Sequence, residues 1–434
     1  MPNDLILGGG MTGLAAGYAS NLPILEASPH PGGICSSYYI RPHSSDRLAS
    51  PPPDQEAYRF EIGGGHWIFG GDSTLLHLIH RLSPIQKYQR KSSVYFHQHH
   101  HYIPYPLQNH LSYLPQDLKT QALQEIASPK SNFQTMKEWL NQYFGQTLCD
   151  YFFYPFHHLY TAGLYKTIAP QDAYKSPINL SHVIQGAFQT VSPVGYNTTF
   201  IYPQQGLDHL AQQLAQYCQI HYDRRVIKID IHDQIVYCEN GEHYPYQHLI
   251  STLPLNTTLN LAALQTQAPP DPYTSVLVLN LGAVRGTNCP DAHWLYNPDA
   301  QSGFHRVGFY SNVDRSFLPT SARTLGNKVS IYIEKAYPGG EKPSATEIQT
   351  YSQAVVKELQ SWGYIETVEV LDPTWIEVAY TWSWPGSTWK NQALSLLESH
   401  HIYPVGRYAR WHFQGIADSI KDGLYAGGSF RDLR

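Results

Sequence analysis

The run Leu5-Ile6-Leu7-Gly8-Gly9-Gly10-Met11-Thr12-Gly13 decides the fold, because an apolar strand passes without a break into Gly8-x-Gly10-x-x-Gly13. Leu14-Ala15-Ala16-Gly17 then reads as the start of a helix. Each glycine has its own task. Gly8 makes the tight turn, Gly10 lets the backbone approach a pyrophosphate, and Gly13 lets helix and strand pack closely. A diphosphate placed there meets unsatisfied N–H groups at the positive end of the helix, where Met11 and Thr12 stand.

Glycine turns are common in loops, so the residues that follow carry weight. Asn21-Leu22-Pro23-Ile24-Leu25-Glu26 reads as a second strand ending in an acid, suited to gripping ribose hydroxyls. Five residues separate Glu26 from Gly32-Gly33. That order marks the FAD form of the nucleotide fold (GR2-type) more than the NAD form, and the sequence predicts FAD as cofactor. Gly13 lies closer to Glu26 than the usual spacing of about twenty residues, which predicts a first helix of only two or three turns.

With 434 residues the chain is too long for one ordinary core and predicts two or three interleaved domains. Hydrophobic content of 42% against 15% charged residues excludes a disordered chain. A net charge of −5 without a basic run argues against nucleic acid as a partner. No apolar stretch approaches the length of a membrane span and no signal peptide is read, so a cytoplasmic location is the default expectation. Cys35, Cys149, Cys218, Cys238 and Cys289 are odd in number and form no C-x-x-C pair, which predicts reduced thiols. The run His97-Gln98-His99-His100-His101 lies between two predicted strands of a hairpin; adjacent turn residues point apart, and no metal site is expected.

The predicted architecture is α/β: an FAD-binding Rossmann-like domain assembled from residues 1–72, 199–256 and 400–434, a mainly helical cap over 73–198, and an antiparallel-sheet substrate domain over 257–399. Arg224 to Ile229 reads as a parallel strand followed by a hairpin, and His248 to Thr252 as a strand returning to the nucleotide domain. The runs Val276 to Leu281, His305 to Tyr310 and Val329 to Glu334 suit an antiparallel sheet flooring a pocket. Tyr403 to Arg407 gives a last strand. A helix follows from about Asp418, read as its N-cap.

Several blocks now resemble one family. Gly64-Gly65-His66-Trp67-Ile68-Phe69, Ile103-Pro104-Tyr105-Pro106-Leu107-Gln108-Asn109, Glu138-Trp139 ahead of Tyr151-Phe152-Phe153-Tyr154-Pro155-Phe156, Asn197-Thr198-Thr199-Phe200, Trp294-Leu295-Tyr296 with Phe304-His305-Arg306-Val307, and Gly406-Arg407-Tyr408-Ala409-Arg410-Trp411 are similar to the UDP-galactopyranose mutases, especially the eukaryotic type, and to their relatives in the protoporphyrinogen oxidase and amine oxidase superfamily. The resemblance implies that Gly64, Gly65 and His66 form the loop facing the flavin, with the imidazole near N5. It implies that Arg407 approaches the FAD diphosphate, Asp418 begins a helix aimed at the isoalloxazine O2, and the Val226 backbone meets the adenine. On the substrate side it places Tyr105, Gln108 and Trp139 around a uridine, Arg306 on the substrate diphosphate and Asn197 near flavin and sugar, with His66, Arg306 and Asn197 as the catalytic set. Independently of the resemblance, Arg306 stands in an apolar strand where a lone charge is costly, so it needs an anionic partner, either a ligand or a structural carboxylate.

The chain departs from the mutases where they grip phosphate. Tyr154 replaces an arginine, and Phe413 and Trp384 align with two tyrosines; phenylalanine cannot donate a hydrogen bond. Three functions stay open. A mutase-like isomerase attacks the anomeric carbon of a nucleotide sugar through flavin N5 with no net redox change, NAD(P)H serving as external reductant. An oxidoreductase of the amine oxidase type takes a hydride onto N5 from a small-molecule substrate. A non-catalytic flavin-binding partner protein is the third.

Overall fold

The structure, a computed structural model, describes residues 4–126, 133–171, 179–191 and 198–431. Five strands form a wholly parallel sheet in the order Ile402–Pro404, Leu249–Ser251, Leu5–Leu7, Pro23–Leu25, Gln219–His221. They come from three separated stretches of chain, so the sheet closes only when the inserted segments have looped out and returned. Leu5-Ile6-Leu7 and Leu249-Ile250-Ser251 are buried throughout, as expected of parallel strands covered on both faces. The helix Met11–Ser20 has ten residues and ends at Asn21 in the left-handed conformation, whose N–H donates to the Gly17 carbonyl. This is the short helix that the glycine-to-acid spacing predicts.

The final helix, Ile416–Arg431, lies against it. A Cβ on Gly423 would collide with the Thr12 carbonyl oxygen, and one on Gly427 with that of Ala16. Glycine at these two positions lets the backbones touch. The helix begins two residues before Asp418, which corrects the reading of Asp418 as N-cap. Asp418 occupies the first turn and its carboxylate accepts from the Gly415 N–H at 3.2 Å. An acid here reaches back to the capping position instead of holding it.

A second correction concerns the edge of the parallel sheet. Its outer strand is Gln219–His221, not Arg224 to Ile229; Val226–Asp230 pairs antiparallel with Ile235–Cys238, which pairs with His243–Pro245. The true edge strand is short and carries one apolar residue, so it leaves little pattern to read.

The large sheet has seven strands in the order Ile365–Thr381, Tyr273–Arg285, Lys328–Pro338, Arg306–Phe309, Trp294–Tyr296, Ser92–Phe96, His101–Pro104. All neighbours are antiparallel except Trp294–Tyr296 with Ser92–Phe96. The histidine-rich run forms a 3-10 turn, His97–His99, with His100 left-handed, at the tip of the outer hairpin. No cluster of potential metal ligands occurs among the described residues. The helix Ala345–Ser361, closed by a Ser344–Glu347 capping box, covers the outer face of the sheet. Helices Gln116–Ile126, Met136–Leu148, Tyr154–Tyr160 and Leu180–Phe188 cap the molecule. No helix of the described residues is long and apolar enough to cross a membrane.

Candidate active site

Gly8, Glu26, Thr252 and Arg407 follow directly or closely on the carboxyl ends of four parallel strands, and all four line one cavity of about 520 Å³. Ligands of open parallel sheets bind at that edge. The glycine loop builds its floor. A Cβ on Gly13 would strike the Gly8 carbonyl oxygen, so only glycine lets the helix start this close to the strand. Gly10 meets nothing nearer than the Gly32 carbonyl at 4.0 Å, leaving its face open to the cavity. Gly32 donates to the Gly9 carbonyl at 2.8 Å, which ties the second glycine pair to the first loop. The Glu26 carboxylate accepts from the Gly9 N–H at 2.6 Å and the Ser28 N–H at 2.8 Å, which fixes it on the cavity wall. Arg407 donates to the carbonyls of Gln414 and Ala379 and lies over the Phe413 ring, 4.5 Å from its centroid. It forms no ion pair among the described residues.

The same cavity continues past the loop Gly63-Gly64-Gly65-His66. His66 lies half-buried on its wall, and its Nδ1 has no hydrogen-bond partner. Burial, together with the charges of Arg407 and Arg306, pushes its pKa down to about 4, against a smaller pull upward from Glu334. The ring is therefore neutral at pH 7. These features fit a dinucleotide: an open glycine cradle, an acid at the ribose position, an arginine with no protein anion, and the neutral His66 ring on the wall beyond them. Cys35 also lines the cavity, and burial raises its thiol to about 12, so it stays protonated.

Beyond His66 the walls are aromatic. Tyr105 and Tyr296 pack at 4.6 Å between centroids, and Trp294, Tyr380 and Phe413 complete the lining. Arg90, unmarked in the sequence, reaches the cavity and donates to the Tyr105 carbonyl at 2.9 Å. Arg306 is on the wall too, but its partner is structural. Its Nε donates to Glu334 at 3.0 Å, and its Nη2 hydrogen-bonds the other oxygen of that carboxylate. The two face each other across adjacent strands, and His305 approaches the same carboxylate at 3.5 Å. Despite its burial, the paired arginine holds Glu334 well below the usual carboxylate range. A second signal was available in the sequence: Glu334, like Arg306, interrupts an apolar strand, and opposite charges in two such runs invite cross-strand pairing.

Of the expected residues, Gly8, Gly10, Met11, Thr12, Glu26, Gly32, Gly33, Gly65, His66, Arg407, Tyr105, Arg306 and Phe413 share this one cavity. Gly13 and Gly64 stand behind it as packing positions. Others are elsewhere. Val226 pairs with Cys238 in the small sheet. Gln108 is buried in the turn Leu107–Asn109, Trp139 packs on Tyr143 and Phe144, and Tyr154 on Tyr165. The Trp384 indole N–H is engaged by the Pro270 carbonyl at 3.1 Å. Asp418 lies on the last helix, which meets the cavity through Ile416 and Ser419. Asn197 lies outside the described residues.

Residues 12–392 match the model of the flavin containing amine oxidoreductases. The chain belongs to that family. Its cofactor is a flavin, and the Rossmann-like reading of the glycine loop agrees with the fold of its relatives. The chain is similar to reduced UDP-galactopyranose mutase at 22% identity and a TM-score of 0.84, with 100% of this chain and 96% of that chain covered. It is similar to a CLA-producing fatty acid isomerase from P. acnes at 13% identity and a TM-score of 0.60, covering 99% and 98%. Putrescine oxidase bound to putrescine aligns at 14% identity and a TM-score of 0.59, covering 100% and 99%. Proteins of this fold thus include a mutase, an isomerase and an oxidase.

Proposed function

We propose that the protein is an FAD-dependent, mutase-like enzyme acting on a nucleotide-sugar-like small molecule in the chamber beside His66. The observation that carries this reading is the continuity of one cavity from the glycine loop and Glu26, past Arg407 and His66, to the Tyr105–Tyr296 wall. Gly10, Glu26 and Arg407 would hold the pyrophosphate and ribose of FAD. When bound, the flavin supplies N5, which serves as a nucleophile when reduced or as a hydride acceptor when oxidised. The chain does the rest. The neutral His66 ring places an uncharged donor or acceptor beside the flavin loop. Tyr105 and Tyr296 offer faces on which a planar base or the apolar side of a sugar can stack. The aromatic lining keeps water from the reacting carbon.

A second reading, an oxidoreductase, is favoured by one observation. By the resemblance, Phe413 and Trp384 stand where the mutases have two diphosphate-binding tyrosines; Phe413 lacks a hydroxyl and the Trp384 N–H is engaged by the Pro270 carbonyl, so neither would supply that contact. Removing such contacts weakens a phosphate grip by about 1–3 kcal/mol each. Reduced, FAD-loaded protein titrated anaerobically with UDP decides between them. A flavin spectral change or heat of binding supports the mutase-like reading. No response at millimolar UDP, together with substrate-driven bleaching of the oxidised flavin, transfers the assignment to the oxidoreductase.

A further inference from the structure

Behind the flavin loop, outside the cavity lining, two acids and an arginine are buried together. Glu61, the last residue of the strand Tyr58–Glu61, is 0% exposed, Arg59 on the same strand 3%, and Asp208 on the helix Leu207–Ala215 7%. Arg59 makes no ion pair with either acid among the described residues. Its Nη2 donates to Ser316 Oγ at 3.1 Å, and its Nε has no hydrogen-bond partner. Glu61 Oε1 accepts from Ser37 Oγ at 2.9 Å and from the Tyr202 hydroxyl, while Oε2 has no partner. With both acids ionised the cluster carries one uncompensated negative charge, which burial makes costly; a single proton restores neutrality. Farther out, Asp314 and Arg323, both partly exposed, add one charge of each sign. Tyr39 and Tyr310 also face the acids, and burial keeps both hydroxyls protonated.

Glu61 is poised between its two forms. Burial raises its pKa most, Arg59 and the Tyr202 and Ser37 donors pull it back, Asp208 adds to the rise, and the result lies at about 7. The carboxylate is also within electrostatic reach of the cavity. Ile62 and Gly63, the next two residues, line the wall with Cys35, and the Glu61 charge is second only to burial in raising the Cys35 thiol. A unit negative charge gained on the far side of that wall raises a buried carboxylate's proton affinity roughly tenfold. We propose that Glu61 is a redox-linked proton site: its carboxylate binds a proton from solvent when FAD in the cavity is reduced and releases it on reoxidation. Atoms and charge are conserved. Two electrons and one proton reach the flavin and leave one negative charge on it, while a second proton forms an O–H bond on Glu61. Asp208, bonded by the Tyr39 hydroxyl and 7% exposed, is the member of the cluster nearest to solvent. The inference asks only that FAD fills the cavity, so it goes beyond either reading of the reaction.

The test reduces FAD-loaded wild type and Glu61→Gln at an electrode, counts the protons taken up with a pH indicator, and records reduced-minus-oxidised infrared spectra. At about pH 7 the wild type should take up about half a proton more per flavin than Glu61→Gln. The excess should fade towards about pH 5 and about pH 9.5, where reduction no longer changes the carboxyl group. The carbonyl-stretch band of a protonated carboxyl, shifted in D2O, should grow on reduction in the wild type and be missing from the variant. Equal uptake across that range, or the same band in both proteins, overturns the inference. A carboxylate with a purely structural role would move neither readout. Should Glu61→Gln lose its fold or its FAD, Asp208→Asn and Tyr202→Phe take its place. Removing the Asp208 charge should lower the pH at which the band is largest, and removing the Tyr202 donor should raise it. A band whose pH dependence stays put in both variants overturns the inference equally.

Discussion

His66, His110 and His293 are each pushed down to about 4, chiefly by burial, with Arg407, Arg90 and Lys91 respectively adding nearby positive charge. All three therefore fold as neutral rings, while the unfolded chain takes up their protons near the ordinary value of 6.5. Between about pH 6.5 and pH 4 the unfolded state binds more protons, so stability is full above this window and falls as the pH drops through it. The loss amounts to at most about 3 kcal/mol per ring, less for the half-buried His66. Urea unfolding of flavin-free His66→Asn at about pH 7 and pH 5 should show a shallower loss than the wild type. An unchanged loss would mean that His66 is solvated or charged. Arg306 makes a second prediction at this scale. Arg306→Ala leaves a buried carboxylate alone and should lower stability by about 3–5 kcal/mol, while the Arg306→Met/Glu334→Leu double variant regains most of that. Both should lose ligand binding and keep their flavin. A double variant as unstable as the single one would refute the pairing argument. His66 and Arg306 were legible in the sequence as unusual residues in glycine or apolar surroundings. Glu334 was not singled out, because one charge in a strand draws no notice until its cross-strand partner is known.

At the scale of elements, the contact between Met11–Ser20 and Ile416–Arg431 joins the first and last parts of the chain. Because Gly423 and Gly427 admit backbone contact with Thr12 and Ala16, a side chain there must push the last helix away from the glycine loop. Gly427→Leu should destabilise by about 1–3 kcal/mol and weaken flavin retention, as read from melting temperature and bound-flavin content. Gly13→Ala, which drives a methyl into the Gly8 carbonyl, should give folded protein with little flavin; full flavin content in that variant would contradict the placement of the loop. Element recognition followed signal strength. Leu5–Leu7 is wholly apolar, Leu249–Ser251 carries two apolar residues ahead of Ser251, and Tyr273–Arg285 is long with an apolar centre, and all three are readable. Gln219–His221 has one apolar residue, and Ile365–Thr381 carries Pro373 and several charges on an edge, so neither shows a clean period of two. Asp418 mimics a cap from inside the first turn, which masks the true start of the last helix at Ile416.

For the whole molecule, discontinuity is the organising fact. Three stretches of chain make the parallel sheet, and the hairpin Ser92–Pro104, expected as a hairpin within an otherwise mainly helical segment, forms the edge of the large sheet. The cavity lies where the two sheets approach each other, so cofactor and substrate walls come from distant parts of the sequence. The cofactor half was legible because its residues are packed into Leu5 to Gly33. The substrate half was legible only in scattered blocks, since Tyr105, Tyr296, Arg306, Glu334 and Phe413 meet only once the chain is folded.

The central claim is that this cavity holds FAD. Its most direct test is the visible absorption spectrum of the purified protein, followed by identification of the flavin released on denaturation. The account predicts a yellow protein that releases FAD in a ratio of about one per chain. A colourless, folded protein that takes up no added FAD would contradict it.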